Sequence, residues 1–301
     1  MNSFTIMVDT GGDVPQEYIE EHNILTIALP FHLDGTLHSG GRWQEITDQQ
    51  FYDALGNGSV AGTALVNLES FLEVFTDFAT RGEELLVVTL SGGLSGTYQN
   101  SVLALAEVKE KYPDCRIRTV DSSNAAGGEG LVGILAIKKR SEGLSLDETA
   151  DWLEARTQNC LALFTVDNLM YLHRGGRLSR LSAVAGSIIG IKPLLNVAPD
   201  GTLKLKDKTR GRKGALNKLA AQMKRSLNPG TKLDTVVISH SNCLADAETL
   251  ASIIRSQISV REIVLVMMGP VIGTHVGPGC VALFFEADMP RTEYEAKFYS
   301  K

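Results

Sequence analysis

The sequence predicts a two-domain α/β protein, with a Rossmann-like α/β/α first part and a second α/β part that contains a mixed sheet. The chain has 301 residues, more than a typical single domain. Strand and helix signals alternate through the first half, which is the pattern of a parallel sheet covered by helices. The second half contains a hairpin signature. We therefore predict an α/β/α domain over residues 1–160 and a second α/β domain over residues 161–301.

In the first half, apolar strand segments alternate with amphipathic segments. SFTIMV is a predicted strand that ends in the polar turn DTGGD, and a short helix follows in PQEYIEEH. NILTIALPF is a second predicted strand, closed by a turn at LDGT. DQQFYDALGNG and LESFLEVFTDFATRG have the apolar spacing of helices. ELLVVTL and CRIRTV are typical of buried strands, and each is followed by a polar loop and a helix, so these strands are expected to run parallel.

The second half indicates a mixed sheet. LALFTV is a predicted strand, and DNLMYLHRGGRLSR contains a short helix. IKPLLNV and TLKLKDK are separated by Ala-Pro-Asp-Gly, which is a hairpin signal. A basic helix follows, then the strand DTVVISH, a helix in LADAETLASIIRSQ, and strands near EIVLVMM and CVALFFE.

Composition excludes several classes of protein. Hydrophobic residues make up 44% and charged residues 21% of the chain, which is ordinary for a globular protein. No apolar run reaches the roughly 18 residues of a membrane helix, and we expect no signal peptide. The four cysteines form no CxxC pair, so we expect neither a zinc site nor disulfides. These features predict a cytoplasmic protein without stable membrane insertion.

One segment, residues 204–225, is strongly basic. It contains nine Lys or Arg against one Asp, although the whole chain has a net charge of −6. The segment is either the solvated face of a helix and turn or a docking patch for an acidic partner. Nucleic-acid binding is a third interpretation, but the overall acidity and the absence of a recognised motif count against it.

Three loops that follow predicted strands are rich in Gly, Ser, Thr and Asp: residues 9–13, 91–97 and 121–130. Ligands bind outside the carboxyl ends of strands in open parallel sheets. In SGGLSGT, the glycines allow tight turns, and the N-terminus of the next helix favours an anion. Ser95 and Thr97 can also cap that helix, and capping alone would explain Ser95.

Spacing excludes several enzyme motifs. A nucleophile elbow requires GxSxG, but Thr97 occupies the position of the last Gly. The sequence contains neither a GxxxxGK[ST] loop nor an HExxH motif. Residues 128–133 match GxGxxG formally, but they lie too far beyond the preceding strand and predict helix packing instead. We therefore expect no cofactor and no metal.

Two further loops combine glycine with cationic or titratable groups. LHRGGRLSR (172–180) places three arginines around a glycine pair. GPVIGTHVGPG (269–279) is predicted to form a flexible turn that contains His275. A single histidine in such a loop is either structural or in contact with a ligand.

At these loops the sequence resembles the DegV family. The resemblance covers essentially the whole chain, in order, through VDTGGDVP, SGGLSGTYQN, VDSSNAAGGEG, VDNLMYLHRGGRLS and GPVIGTHVGPG. Better-studied members of this family are fatty-acid-binding partners of a bacterial fatty-acid kinase. The resemblance implies a Rossmann-like first part, an α/β second part, and a tunnel between them that encloses one acyl chain. It also implies a lipid carrier with no catalysis of its own.

The resemblance implies specific roles. In the family, a Thr in a TSQPS-like segment and the Ser of the LSGT loop hold the carboxylate, and these roles fall on Thr63 and Ser95. Two departures from the family pattern are that Ala-Leu-Val follows Thr63 and that Asp9-Thr10-Gly11 replaces the commoner Asp-Ser-Thr. The complete candidate ligand site is Thr63, Ser95, Gly96, Thr97, His275 and Arg174.

We expect the bound carboxylate to be presented to a fatty-acid kinase. Phosphorylating a carboxylate requires bound ATP and Mg²⁺, and the sequence has motifs for neither. Arg174, Arg177 and His275 are predicted to stabilise the added charge of an acyl phosphate, and Arg210 and Arg212 to steer an acidic partner. Alternatively, Arg174 and Arg177 only form ion pairs between domains.

The same residues also allow an enzymatic function. Ser95 as nucleophile and His275 as base would make a serine-dependent acyl hydrolase or transferase. Two features argue against this enzyme. The sequence lacks a nucleophile elbow, and no acidic residue is assigned to orient the histidine.

Overall fold

The computed structural model describes residues 4–41, 45–179 and 190–299, in which strands form two larger sheets and one small sheet. The strands are β1 Thr5–Asp9, β2 Leu25–Ile27, β3 Phe31–Leu33, β4 Thr36–His38, β5 Ala61–Thr63, β6 Leu85–Thr89, β7 Ile117–Asp121, β8 Cys160–Thr165, β9 Ile191–Val197, β10 Leu203–Arg210, β11 Lys232–His240, β12 Ser259–Met267 and β13 Val281–Glu286.

Helices cover these sheets and join their strands. They are α1 Gln16–His22, α2 Asp48–Gly56, α3 Leu68–Arg81, α4 Thr97–Lys111, α5 Gly127–Ser141, α6 Leu146–Arg156, α7 Met170–Arg174, α8 Arg212–Arg225, α9 Leu244–Arg255, α10 Pro270–Val276 and α11 Arg291–Tyr299. None of the helices in the described ranges has both the length and the apolar character needed to cross a membrane.

The first sheet has the order β2-β1-β6-β7, and all of its pairings are parallel. This confirms the predicted Rossmann-like sheet. Every residue of β6 is buried, as expected for a strand covered on both faces by helices. Because the strands are parallel, the three polar loops after β1, β6 and β7 emerge at one edge of the sheet.

The second sheet has the order β10-β9-β8-β13-β11-β12 and is mixed, which confirms the predicted fold class. β9 and β10 form the predicted antiparallel hairpin, and Gly201 in its turn has a φ of 75°. β11 pairs parallel with β12 and antiparallel with β13. The first strand of this sheet, β8, begins at Cys160.

The predicted strand NILTIALPF is wrong as a single element. It divides into β2, in the first sheet, and β3, which pairs with β4 and β5 in a small antiparallel sheet. Pro30 separates the two strands and cannot donate a ladder hydrogen bond, which is the physical reason for the break. The predicted turn LDGT closes the β3–β4 hairpin. In this small sheet, β5 ends at Thr63, one of the predicted site residues.

Helix α5 packs between the two larger sheets. Its residues from Gly127 to Ile137 are all buried, and the helix touches strands of both sheets. The predicted helix-packing role of its glycines is confirmed, since a Cβ at Gly128 would lie 2.6 Å from Phe284 and one at Gly130 would lie 2.9 Å from the carbonyl oxygen of Asp13.

We expect Gly130→Ala to lower the free energy of unfolding by about 1–3 kcal/mol, because the new methyl group must displace backbone rather than a flexible side chain. Urea denaturation measures the change. Gly56→Ala is the matched control, since nothing lies within 4 Å of a Cβ there and alanine is the better helix former. Equal stability of the two variants would contradict close packing at α5.

Candidate functional site

A cavity of about 380 Å³ lies between the two larger sheets. Its volume is within the range of about 300–1,000 Å³ that is usual for small-molecule sites. Most of the surrounding side chains are apolar. They include Leu29, Leu90, Leu94, Ala125, Ala126, Ala162, Phe164, Leu172, Val197, Leu203, Met268, Val271, Ile272, Val276, Ala282 and Phe284.

The floor of the cavity is built by two neighbouring strands. β8 and β13 pair so that Ala282 lies opposite Phe164 and Phe284 lies opposite Ala162. Each aromatic ring therefore lies beside a small residue. These four residues were not predicted from the sequence, although their spacing of two along each strand places them on one face.

Polar side chains come together at one part of the cavity lining. Thr63 Oγ1 lies 2.9 Å from His275 Nε2. Ser95 and Arg177 also line the cavity, and the Arg177 guanidinium donates to the carbonyl oxygens of Leu94 and Gly175. Four chain segments far apart in sequence thus contribute one polar group each. Of the predicted site residues, Thr63 and His275 are in contact, and Ser95 lines the same cavity.

The loop before α4 is held in a compact turn by its own hydrogen bonds. Leu94 N and Ser95 N both donate to Ser91 O, at 2.9 and 3.1 Å, which closes a tight turn. Ser95 Oγ lies 2.9 Å from Thr97 Oγ1 and accepts from Thr97 N at 3.2 Å. Ser95 is therefore partly a capping residue, and it also lines the cavity beside the N-terminus of a 15-residue helix.

Thr97 and Gly96 have different roles. Thr97 is buried, and its hydroxyl accepts from Val66 N at 3.3 Å, so it connects the segment after Thr63 to α4. Gly96 lines the cavity, and a Cβ at this position would lie 3.2 Å from Leu65. In place of the family's Ser-Gln-Pro, this chain therefore positions the segment after Thr63 through backbone contacts with Thr97 and apolar contact with Leu65.

His275 lies on a helix, so its predicted position in a flexible turn is wrong. Pro270 occupies the first turn of α10, where its missing N–H costs nothing. Burial, with the nearby Arg177 cation, lowers the pKa of His275 from 6.5 to about 4, so the imidazole is neutral at neutral pH. The ring lies so close to Gly175 that a Cβ there would collide with Nδ1.

Arg174 and Arg177 occupy different positions. Arg177 lines the cavity, and burial lowers its pKa below the ordinary value. Arg174 is exposed, and its guanidinium lies 4.5 Å from the ring centroid of Tyr171. Within the described ranges neither arginine forms an ion pair with a carboxylate. The third arginine of this loop, Arg180, lies outside the described residues.

Arg174 faces a second depression, which we call the outer groove. It has a volume of about 350 Å³ and is lined by residues of β5, α7 and α10, including Gly62, Tyr171, Arg174 and Thr274. Thr63, Arg177 and His275 line both the cavity and the outer groove. These three residues therefore form the wall between them.

Several cations of the basic segment 204–225 are paired with acids of the same chain. Lys206 forms a salt bridge with Glu295 at 2.7 Å, and Lys218 with Asp207 at 2.6 Å. Arg212 donates to Asp246 at 2.8 Å and lies 3.4 Å from Asp167. Arg210 is exposed. Of the two predicted docking residues, Arg212 thus has intramolecular partners.

The geometry does not support the hydrolase alternative. The Ser95 hydroxyl contacts Thr97, whereas His275 Nε2 contacts Thr63. In the described part of the chain, His275 Nδ1 is buried without a hydrogen-bond partner, so no acid orients the ring. Among the same residues, no cluster of three or more His, Cys, Asp or Glu side chains is arranged to hold a metal ion.

The fold and the site define an α/β protein in which two larger sheets enclose an apolar cavity with polar groups at one part of its lining. A family model described as an uncharacterised protein of the DegV family matches residues 3–288. The chain belongs to the DegV family. A DegV domain-containing protein of Clostridium perfringens is 38% identical over 96% of this chain and 99% of its own length.

Solved structures of the same fold include proteins with a described ligand. A Thermotoga maritima protein, described as revealing fatty acid binding function, is 30% identical, with a TM-score of 0.83 over 95% of this chain and 100% of its own. The Streptococcus pneumoniae Fatty Acid Kinase (Fak) B3 protein, loaded with linoleic acid, has a TM-score of 0.81 over 95% of this chain and 100% of its own, at 21% identity. The latter likeness shows the shared fold.

The pKa of His275 leads to a prediction about stability. Between pH 6.5 and about 4, the unfolded chain binds a proton at His275 that the folded protein does not. The contribution of the neutral His275 side chain to the free energy of unfolding is therefore present above pH 6.5 and is lost as the pH falls towards 4. The difference in unfolding free energy between wild type and His275→Gln should shrink over this range in urea titrations. A difference that grows as the pH falls would contradict a buried neutral imidazole.

Proposed function

We propose that this protein binds one long-chain fatty acid in a tunnel formed by the cavity, with the carboxylate at Thr63, Ser95, His275 and Arg177. The observation that carries the proposal is an apolar cavity whose polar groups lie together. In the part of the chain described by the structure, Arg177 is a half-buried cation with no carboxylate in ion-pair contact. A ligand carboxylate supplies the missing negative charge.

The fatty-acid-binding Thermotoga maritima relative supports the same ligand class, because it shares the fold at 30% identity. Burial of an acyl chain can also supply enough free energy for binding. Burying each methylene contributes about 0.8 kcal/mol, so a chain of about 15 methylenes contributes on the order of 12 kcal/mol before the costs of ordering and desolvation. The acyl chain supplies affinity, and the polar groups fix which end lies beside Thr63 and Ser95.

We expect Thr63→Val and Ser95→Ala each to weaken fatty-acid binding by about 1.5–3 kcal/mol, since each removes a hydrogen bond to a charged group. The double variant should lose most of the lipid that stays bound through purification. Native mass spectrometry, compared with the mass after denaturation, measures this occupancy.

The matched control is Thr80→Ala. The Thr80 hydroxyl donates to Asp77 O on the exposed surface of α3, away from the cavity. Its lipid occupancy should equal that of wild type. Full occupancy in the double variant as well would exclude Thr63 and Ser95 as the carboxylate site.

We also propose that the protein presents the bound carboxylate to a fatty-acid kinase through the outer groove. Thr63, His275 and Arg177 line both the cavity and the groove, so a carboxylate bound to them lies one side chain from the groove. Arg174 lies exposed in the groove, where it is suited to the added charge of an acyl phosphate. Because the sequence contains no phosphate-binding loop for ATP, the partner must supply nucleotide and Mg²⁺.

The kinase proposal predicts a separation between binding and turnover. With a fatty-acid kinase, ATP and Mg²⁺, Arg174→Glu and Arg210→Glu should each slow acyl-phosphate formation roughly tenfold at low salt, because the electrostatic approach of an acidic partner is weakened. Fatty-acid affinity should remain unchanged. Arg212→Glu also breaks the pair with Asp246, so its thermal stability must be measured beside its rate.

Arg255→Glu, at an exposed position outside residues 204–225, is the control for a non-specific effect of charge. Its turnover should match that of wild type. Normal turnover of Arg174→Glu and Arg210→Glu would exclude these residues from the docking surface. ATP consumption by the protein alone would contradict the carrier role.

A further inference from the structure

The loop that carries Ser95 is bonded to two aspartates that do not line the cavity. Leu90 N donates to Asp9 Oδ2 at 2.8 Å, and Gly92 N donates to Asp121 Oδ2 at 3.1 Å. Asp9 is the last residue of β1 and Asp121 the last residue of β7. These strands flank β6, the strand from which the loop emerges.

Each aspartate also holds the turn that follows its own strand. Asp9 Oδ1 accepts from Gly11 N at 2.8 Å, and Asp121 Oδ1 accepts from Ser123 N at 2.6 Å. Each carboxylate thus joins two backbone segments, one through each oxygen. An ionised carboxylate is an acceptor at both oxygens, whereas an asparagine side chain has one acceptor and one donor group.

The position of these two N–H groups determines the position of Ser95. Ser91 lies between Leu90 and Gly92, and its carbonyl oxygen accepts from both Leu94 N and Ser95 N. The tight turn therefore connects the anchored residues directly to the Ser95 hydroxyl. A displacement of Leu90 or Gly92 is therefore expected to move that hydroxyl relative to Thr63 and His275.

We propose that Asp9 and Asp121 are positioning residues for carboxylate recognition, which hold the Ser95 hydroxyl and the α4 N-terminus at the polar part of the cavity without touching the ligand. This inference rests on the proposed fatty-acid-binding function. It assigns head-group recognition partly to residues outside the cavity, whereas the apolar lining determines affinity for the acyl chain.

The test compares two ligands with the same chain, hexadecanoic acid and hexadecanol, in Asp9→Asn and Asp121→Asn. In each variant the preference for the acid over the alcohol should fall about tenfold, equivalent to about 1.4 kcal/mol. Affinity for the alcohol should stay within about twofold of wild type, since the apolar lining is unchanged. Titrations are made at pH 8, because burial raises the pKa of Asp9 to about 6.

Asp288→Asn is the matched control. Asp288 also accepts from a backbone N–H, that of Asn228 at 2.7 Å, but it follows β13 and does not line the cavity. Its preference for the acid should match that of wild type, even if its melting temperature falls. An equal loss of preference in Asp288→Asn, or an unchanged preference in both Asp9→Asn and Asp121→Asn, would overturn the proposal.

Amide hydrogen exchange in the wild-type protein tests the same bonds if a variant fails to fold. Gly92 is exposed, yet its N–H should exchange slowly because Asp121 accepts it. Rapid exchange at Gly92 would also overturn the proposal. A wild-type protein that binds acid and alcohol equally would instead contradict carboxylate recognition itself, so the two failures are distinguishable.

Discussion

The close packing of α5 between the two larger sheets is the constraint on which the rest of the structure depends. Glycines on this helix allow Phe284 of one sheet and the backbone at Asp13, after β1 of the other, to approach it within contact distance. The thickness of a helix therefore sets the separation of the sheets. The helix begins at Gly127, and Ala125 and Ala126 just before it line the cavity. The space between the sheets is filled by α5 along its length and remains open beyond its N-terminus.

Much of this arrangement could be predicted from local patterns, and the exceptions have physical causes. Strand segments and the hairpin around Asp200 and Gly201 follow from alternation and turn residues, which act over a few neighbours. The helix that carries His275 could not be predicted, because its glycines favour a turn. Position 273 of this helix requires glycine, because a Cβ there would lie only 2.6 Å from the Tyr52 hydroxyl oxygen. Tertiary packing, which a single sequence does not display, overrides local propensity at this point.

In the basic segment 204–225, the sequence alone likewise could not predict which charges form ion pairs. Its sequence shows an excess of cations but not where acids from other segments lie. In the structure, Glu295 and Asp246 pair with Lys206 and Arg212 across large separations in sequence. Thr63 and His275 are likewise 212 residues apart, and only the fold brings them into contact. The resemblance to the DegV family, rather than any property of the residues alone, identified Thr63 as a site residue.

The contact between Thr63 and His275 bears on which proton would face a carboxylate bound as proposed. His275 is neutral, so one ring nitrogen carries a proton and the other does not. Nδ1 has no hydrogen-bond partner among the described residues, and an unpaired buried acceptor is tolerated more readily than an unpaired N–H. We therefore assign the proton to Nε2, which in this tautomer donates to Thr63 Oγ1. The Thr63 hydroxyl proton is then free to point into the cavity, where it can donate to a carboxylate oxygen. In the proposed complex, the neutral histidine orients this donor and Arg177 supplies the positive charge.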